Sequence, residues 1–248
     1  RIIHVLDYNK IGNEFVAWSD EKKTGFMLKS RVSVGDPAIF YFRAGSAAST
    51  LSVDDVEKIH FEDYSHIHLT GILPALTETT RAAVNLMFDK ARQAGLLISF
   101  DPNLRPQLWP SQEVMVQSIN EMAAKADIVL PGTAEGKILM GSEDPKAIND
   151  FYLKNGAKVV ITKCGGDGAY VSTKDESYMV PGFTVDKVVD TVGAGDGFAA
   201  GVITGLMEGL PLKEAVRRGN AIGAIQVTSR GDNEGLPYPD QLKAFMEK

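Results

Sequence analysis

The chain has 248 residues, of which 44% are hydrophobic and 23% charged, with a formal net charge of −6. This is an ordinary globular composition, large enough for one sizeable domain or a domain with a small appendage, and its acidic balance excludes a broad nucleic-acid surface and leaves any anionic ligand to local arginines. Cys164 is the single cysteine, so an internal disulfide is excluded and a reducing cytoplasm is the expected setting, while no apolar run approaches the ~18 residues of a membrane helix.

The opening residues, RIIHVLDYNKIGNEF, read as the end of an amphipathic helix followed by a turn at Gly12. They have neither the layout of a signal peptide nor an initiator methionine, so further residues are expected upstream. Residues 14–50 hold three strand-like runs, EFVAWSD, TGFMLKSRVSV and AIFYFRAG, without a helix between them. They predict a small β-sheet projecting as a lid, with residues 51–248 forming the α/β core. The apolar Phe26, Met27, Phe40 and Phe42 make this lid a candidate homodimer contact.

From Tyr64 the chain alternates strand-like and helix-like segments. HIHLTGI (66–72) is followed by a helix from about Thr77 to Gly95, then LLISF (96–100) and a capped helix from Ser111. DIVLP, a helix after Asp144-Pro145 and KVVITK continue the alternation, and AYVST with SYMVP predicts an edge hairpin. Such a rhythm predicts a mainly parallel sheet sandwiched by helices. His66 and His68 share one face of a strand, but without a third ligand nearby they read as core or rim histidines. Cys164 has no evident base partner and reads as structural.

The densest signal is VVDTVGAGDGFAAGVITGL, residues 188–206. VVD reads as a strand ending, and Phe198, Val202 and Leu206 recur as a buried helix face. Gly193 and Gly195 therefore lie at a helix N-terminus, where free N–H groups and the helix dipole suit a phosphoryl group. A plain tight turn satisfies the same spacing. The dinucleotide fingerprint does not fit it, and GTAEGKI (132–138) fails as a Walker loop because its glycines are one residue too close and Ile138 replaces the hydroxyl residue.

DTVGAGDGFAAG resembles the C-terminal signature of the ribokinase-like (PfkB) carbohydrate kinases. FDPNLR, ITKCGGDGAY and GNAIGAIQVTSRGDNEGLPY follow in the order of that family. The last of these, with FYFRAGSAAS and HLTGI, is similar to the family's 2-keto-3-deoxygluconate kinases. The resemblance implies a ribokinase-like fold, ATP and Mg2+, with a monovalent cation left open. It implies Asp196 as catalytic base and the amides of Gly193, Ala194, Gly195 and Asp196 as an anion hole, and the helix N-terminus is expected to keep Asp196 ionised. Nucleotide contacts fall to Asn103, Lys163, Gly165, Gly166, Gly168, Gly193, Gly195 and Asn220. Glu135 matches only half of the family's Asn-x-x-Glu motif, since Gly132 stands for the asparagine, and is carried over as an indirect metal residue.

Substrate class follows from charge. A sugar acid presents a carboxylate, which guanidinium forks bind, whereas a neutral sugar would leave buried arginines unpaired. By spacing alone Arg43 reads as a solvated surface charge, and it is the resemblance to the keto-acid kinases that implies Arg43 and Arg105 for that carboxylate, with Tyr41 on the strand face of Arg43 and Asp232 gripping hydroxyls. The rivals are a ketose kinase of the same family and a catalytically incomplete ligand-binding fragment.

Overall fold

A computed structural model describes residues 1–30 and 39–247. In chain order the described residues form α1 (Ile2–Tyr8), β1 (Phe26–Lys29), β2 (Ile39–Phe42), α2 (Val53–Val56), β3 (His66–Thr70), α3 (Glu78–Gln93), β4 (Leu97–Asp101) and α4 (Gln112–Ala123). These are followed by β5 (Ile128–Val129), α5 (Thr133–Met140), α6 (Pro145–Lys154), β6 (Val159–Lys163), β7 (Gly168–Thr173) and β8 (Ser177–Pro181). Helices α7 (Ala194–Met207), α8 (Leu212–Gln226) and α9 (Pro239–Met246) complete the order.

The main sheet runs β3-β4-β5-β6-β7-β8. Pairs from β3 to β6 are parallel, and the β6-β7-β8 portion is antiparallel, so the expected edge hairpin is present. Helix starts follow capping chemistry. The Thr77 hydroxyl accepts from Thr80 N at the head of α3, and the Ser111 hydroxyl from Val114 N at the head of α4.

Strand alternation divides the core between two faces. Leu69, Phe100, Val129 and Val160 align in register and pack with Phe88 of α3, Met115 of α4 and Ile148 of α6. The residues one step along, Ile128, Leu130 and Ile161, point the other way onto Phe198 and Val202 of α7 and Val216 of α8. Helices thus cover both faces, and each buried aliphatic or phenyl side chain contributes about 1.5–3 kcal/mol. Helices α7 and α8 approach closely because Gly201 faces Gly219: a Cβ on Gly201 would lie 2.8 Å from the Gly219 Cα.

The projecting sheet is smaller than the sequence suggests. Strands β1 and β2 pair antiparallel, Met27 opposite Tyr41 and Lys29 opposite Ile39. EFVAWSD forms no strand; its apolar residues stay exposed, Trp18 by 85%, so no ladder partner organises it. The last four residues of TGFMLKSRVSV lie outside the described residues. VVD is likewise a loop, not a strand ending: Val189 N and Asp190 N both donate to the Val227 carbonyl at the end of α8. The helix read at the start is present as α1.

Candidate active site

The parallel strands end on one side, where open α/β sheets bind ligands. Asp101 closes β4, the turn after it carries Asn103 and Arg105, and Lys163 closes β6. Lys163 Nζ donates to Asp101 Oδ2 at 2.5 Å. The turn is tight: Asn103 has φ +39°, and its N–H donates to Asp101 Oδ1 at 3.1 Å. Asn103 Nδ2 then reaches Asp196 Oδ1 at 3.3 Å.

Asp196 stands in the first turn of α7. Gly193 precedes the helix with φ +80°, and a Cβ there would lie 2.1 Å from the Asp232 carbonyl. Only glycine allows both the left-handed conformation and that approach. Ala194 N donates to the Thr191 carbonyl at 3.3 Å, whereas the N–H groups of Gly193, Gly195 and Asp196 meet no acceptor among the described residues. Three of the four expected amides are therefore free to receive an anion.

Electrostatics here depart from the expectation that α7 alone keeps Asp196 ionised. Loss of hydration and the Asp101 carboxylate push its pKa up, and Lys163, Arg105 and the Asn103 bond only partly offset them. Burial opposes the Lys163 charge, but Asp101 and Glu135 outweigh it and hold the ammonium protonated. A raised carboxylate beside a fixed cation is a better proton acceptor than an ordinary aspartate.

Two cavities meet at Lys163, Thr191 and Gly195. The first, of about 500 Å³, is lined by Tyr41, Arg43, Asp101, Asn103, Arg105, Glu135, Gly193, Asp196 and Asp232. Two guanidiniums lie near the Tyr41 ring, Arg43 4.7 Å and Arg105 5.9 Å from its centroid. Arg105 Nη1 donates to the Asn103 and Leu104 carbonyls, which leaves its Nε buried without a partner. The Asp232 carboxyl is pushed up by lost hydration.

The second cavity, of about 300 Å³, is lined mainly by Phe183, Val185, Val188, Phe198, Ala224 and Val227, together with Gly165, Gly166, Gly168, Ala194 and Asn220. An apolar slot opening onto free amides and an ammonium has the chemistry to hold a nucleotide. Asn103 is not on this side. It lines the first cavity and orients Asp196. Asn220 lines the slot, but its Nδ2 donates to the Val180 and Pro181 carbonyls at 3.0 Å each, tying α8 to β8.

Glu135 has both carboxylate oxygens engaged, by Leu104 N at 2.9 Å and Gly132 N at 2.7 Å. Among the described residues no three His, Cys, Asp or Glu side chains gather as a metal cage. Mg2+ needs only one or two carboxylates beside nucleotide phosphates and water, and Asp101, Glu135 and Asp196 all line the first cavity. His66 Nε2 and His68 Nδ1 both bond the Ser99 hydroxyl, at 2.8 and 2.7 Å, and both are half-buried, as rim histidines are. Asp101 was not singled out by the sequence reading, although a carboxylate closing a buried apolar strand is a recognisable signal.

Residues 1–239 match the pfkB family carbohydrate kinases. The chain is 49% identical over 227 residues to a 2-dehydro-3-deoxygluconokinase of Bacillus subtilis (strain 168), covering 92% of this chain and 70% of that protein. The structure of a PfkB protein from Polaromonas sp. JS666 superposes with a TM-score of 0.88 at 42% identity, covering 98% of this chain and 78% of the other. The aminoimidazole riboside kinase of Salmonella enterica, solved with aminoimidazole riboside and an ATP analog, gives a TM-score of 0.88 at 27% identity, over 99% and 80% of the two chains. With a ribokinase-like fold, a signature turn that caps α7 beside two joined cavities, and a family match over nearly its whole length, this chain belongs to the PfkB family of carbohydrate kinases.

Proposed function

We propose that the chain transfers the γ-phosphoryl group of ATP to the terminal hydroxyl of 2-keto-3-deoxygluconate. One observation carries this reading: a single cavity is lined by Asp196, by the glycine turn with its free amides, and by two guanidiniums that both lie near the Tyr41 ring. A keto-acid fits that cavity lengthwise, its carboxylate toward Arg43 and Arg105 and its far hydroxyl toward Asp196. The identity to the Bacillus subtilis kinase supports the same acceptor.

Asp196 accepts the hydroxyl proton as that oxygen attacks the γ-phosphorus, and the bond to the β-phosphate oxygen breaks to release ADP. The N–H groups of Gly193, Gly195 and Asp196 receive charge on the non-bridging oxygens, and the Lys163 ammonium, close to Gly195, faces the same group. Asn103 fixes the Asp196 carboxylate, and Asp232 accepts from acceptor hydroxyls. Glu135 and Asp101, which line the same cavity, would face a divalent ion carried on the triphosphate, and such an ion would supply charge neutralisation for the transferred group.

The setting is the cytoplasm, and the partners are small molecules. The exposed lid face of Phe26, Leu28, Phe40 and Phe42 pairs two copies into a homodimer. A coupled kinase assay across keto-deoxy acids, neutral ketoses and nucleosides tests the acceptor. Preference for a ketose such as fructose would establish the rival reading. Parallel assays in potassium and choline salts decide whether a monovalent cation takes part.

A further inference from the structure

The backbone entering the Gly193 turn is braced from two directions. From the core side, Gln226 at the end of α8 donates its Nε2 to the Gly231 carbonyl at 2.9 Å and the Val192 carbonyl at 3.4 Å. From the lid side, the Lys29 ammonium is paired with Asp190. Asp190 Oδ1 in turn accepts from Val192 N at 3.2 Å, one residue before Gly193.

Lys29 belongs to the lid face that meets the acceptor. It follows Met27 by two residues and lies opposite Ile39, and Met27, Ile39 and Tyr41 all line the acceptor cavity. The pair is withdrawn from water, with side-chain exposures of 22% for Lys29 and 7% for Asp190. That distinguishes it from the surface pairs that contribute little. The same ammonium bears on Asp232, whose carboxyl is raised first by lost hydration and further by Glu234, Asp190 and Asp196.

We propose that Lys29 is a positioning residue for phosphoryl transfer: a lid-borne ammonium that, through Asp190, holds the backbone leading into the Gly193 turn. The lid then does more than cover the acceptor, because the strand facing the acceptor also sets the amides that receive the phosphoryl. The inference rests on reading Gly193–Asp196 as the phosphoryl-holding turn. Lys29 touches no reacting atom, and its effect passes through Asp190 and Val192.

Steady-state kinetics and thermal melting of Lys29→Met, Lys29→Arg and Asp190→Asn test it. Lys29→Met is expected to lower kcat about tenfold to a hundredfold, the scale of a small misplacement of catalytic groups, with little change in acceptor KM. Lys29→Arg restores most of the rate, and millimolar methylammonium raises kcat of Lys29→Met but not of the parent. If Lys29→Met folds poorly, Asp190→Asn removes the same attraction without shortening a side chain and should show the same kcat loss. A kcat within about twofold of the parent, a loss confined to acceptor KM, or a loss rescued by neither arginine nor methylammonium overturns the proposal. Full activity of Asp196→Asn would instead overturn the reading of the turn.

Discussion

Lys163 and Asp101 form an ion pair across a strand that separates them. Nζ lies 2.5 Å from Oδ2, the side chains are 20% and 2% exposed, and β5 runs between β4 and β6. The pair is possible because parallel strands end together, so side chains beyond their last hydrogen bonds meet above the sheet. It places a fixed cation beside Asp196 and Gly195. Asp101→Ala would leave that ammonium with Glu135 as its main buried counter-charge. The expected cost is about 3 kcal/mol of stability, measured by urea unfolding, with a loss of kcat.

Asp196→Asn should bind both substrates with little change and lose phosphoryl transfer by about 10²–10⁴-fold, the contribution of a general base. Calorimetric titration with nucleotide and acceptor, alongside single-turnover kinetics, separates binding from chemistry.

The acid limb of kcat/KM reports the Asp196 carboxyl. Its pKa lies above the ordinary 3.8 because of lost hydration and Asp101, and only the ionised form accepts a proton, so activity falls as pH drops through that raised value. The Asn103 bond acts in the opposite sense. Asn103→Ala should therefore move the limb to higher pH, and a shift downward would contradict the assignment.

Arg43→Met and Arg105→Met should each raise KM for the keto-acid, by about 1.5–3 kcal/mol of lost binding for a charge-assisted hydrogen bond. A neutral ketose, measured in the same coupled assay, should be nearly indifferent to either change.

His66 and His68 are held below their ordinary pKa of 6.5, first by burial; the facing His68 charge adds for His66, and Asp101 partly opposes it for His68. The folded protein thus binds fewer protons at these sites than the unfolded chain. Their contribution is full above about pH 6.5 and is lost as pH falls toward the lower folded values. Melting temperature should decline from pH 7 to 5, and His68→Gln should lessen that decline.

Much of this protein was legible without coordinates. Hydrophobic period predicted α3, α4, α6 and α7, because each buries a regular stripe and starts at a capping residue or a glycine turn. The signature DTVGAGDG located Asp196 and the free amides, since only a few residue types permit a left-handed turn at a helix N-terminus. Lone strands were harder. EFVAWSD and VVD have strand-like side chains, yet strand formation depends on a partner, and local sequence does not supply one.

The sequence by itself determined the order of most α/β elements, the glycine turn at the head of α7 and the charged residues available to it. Tertiary structure alone decided which of those charges face one another. Asn103 bonds Asp196, and Glu135 accepts from two backbone amides. Burial beside Asp101 raised Asp196, although a helix N-terminus predicts the reverse. The reason is one of range: capping and periodicity act over a few residues along the chain, whereas desolvation and Coulomb interactions act between groups as far apart in sequence as Asp101 and Asp196.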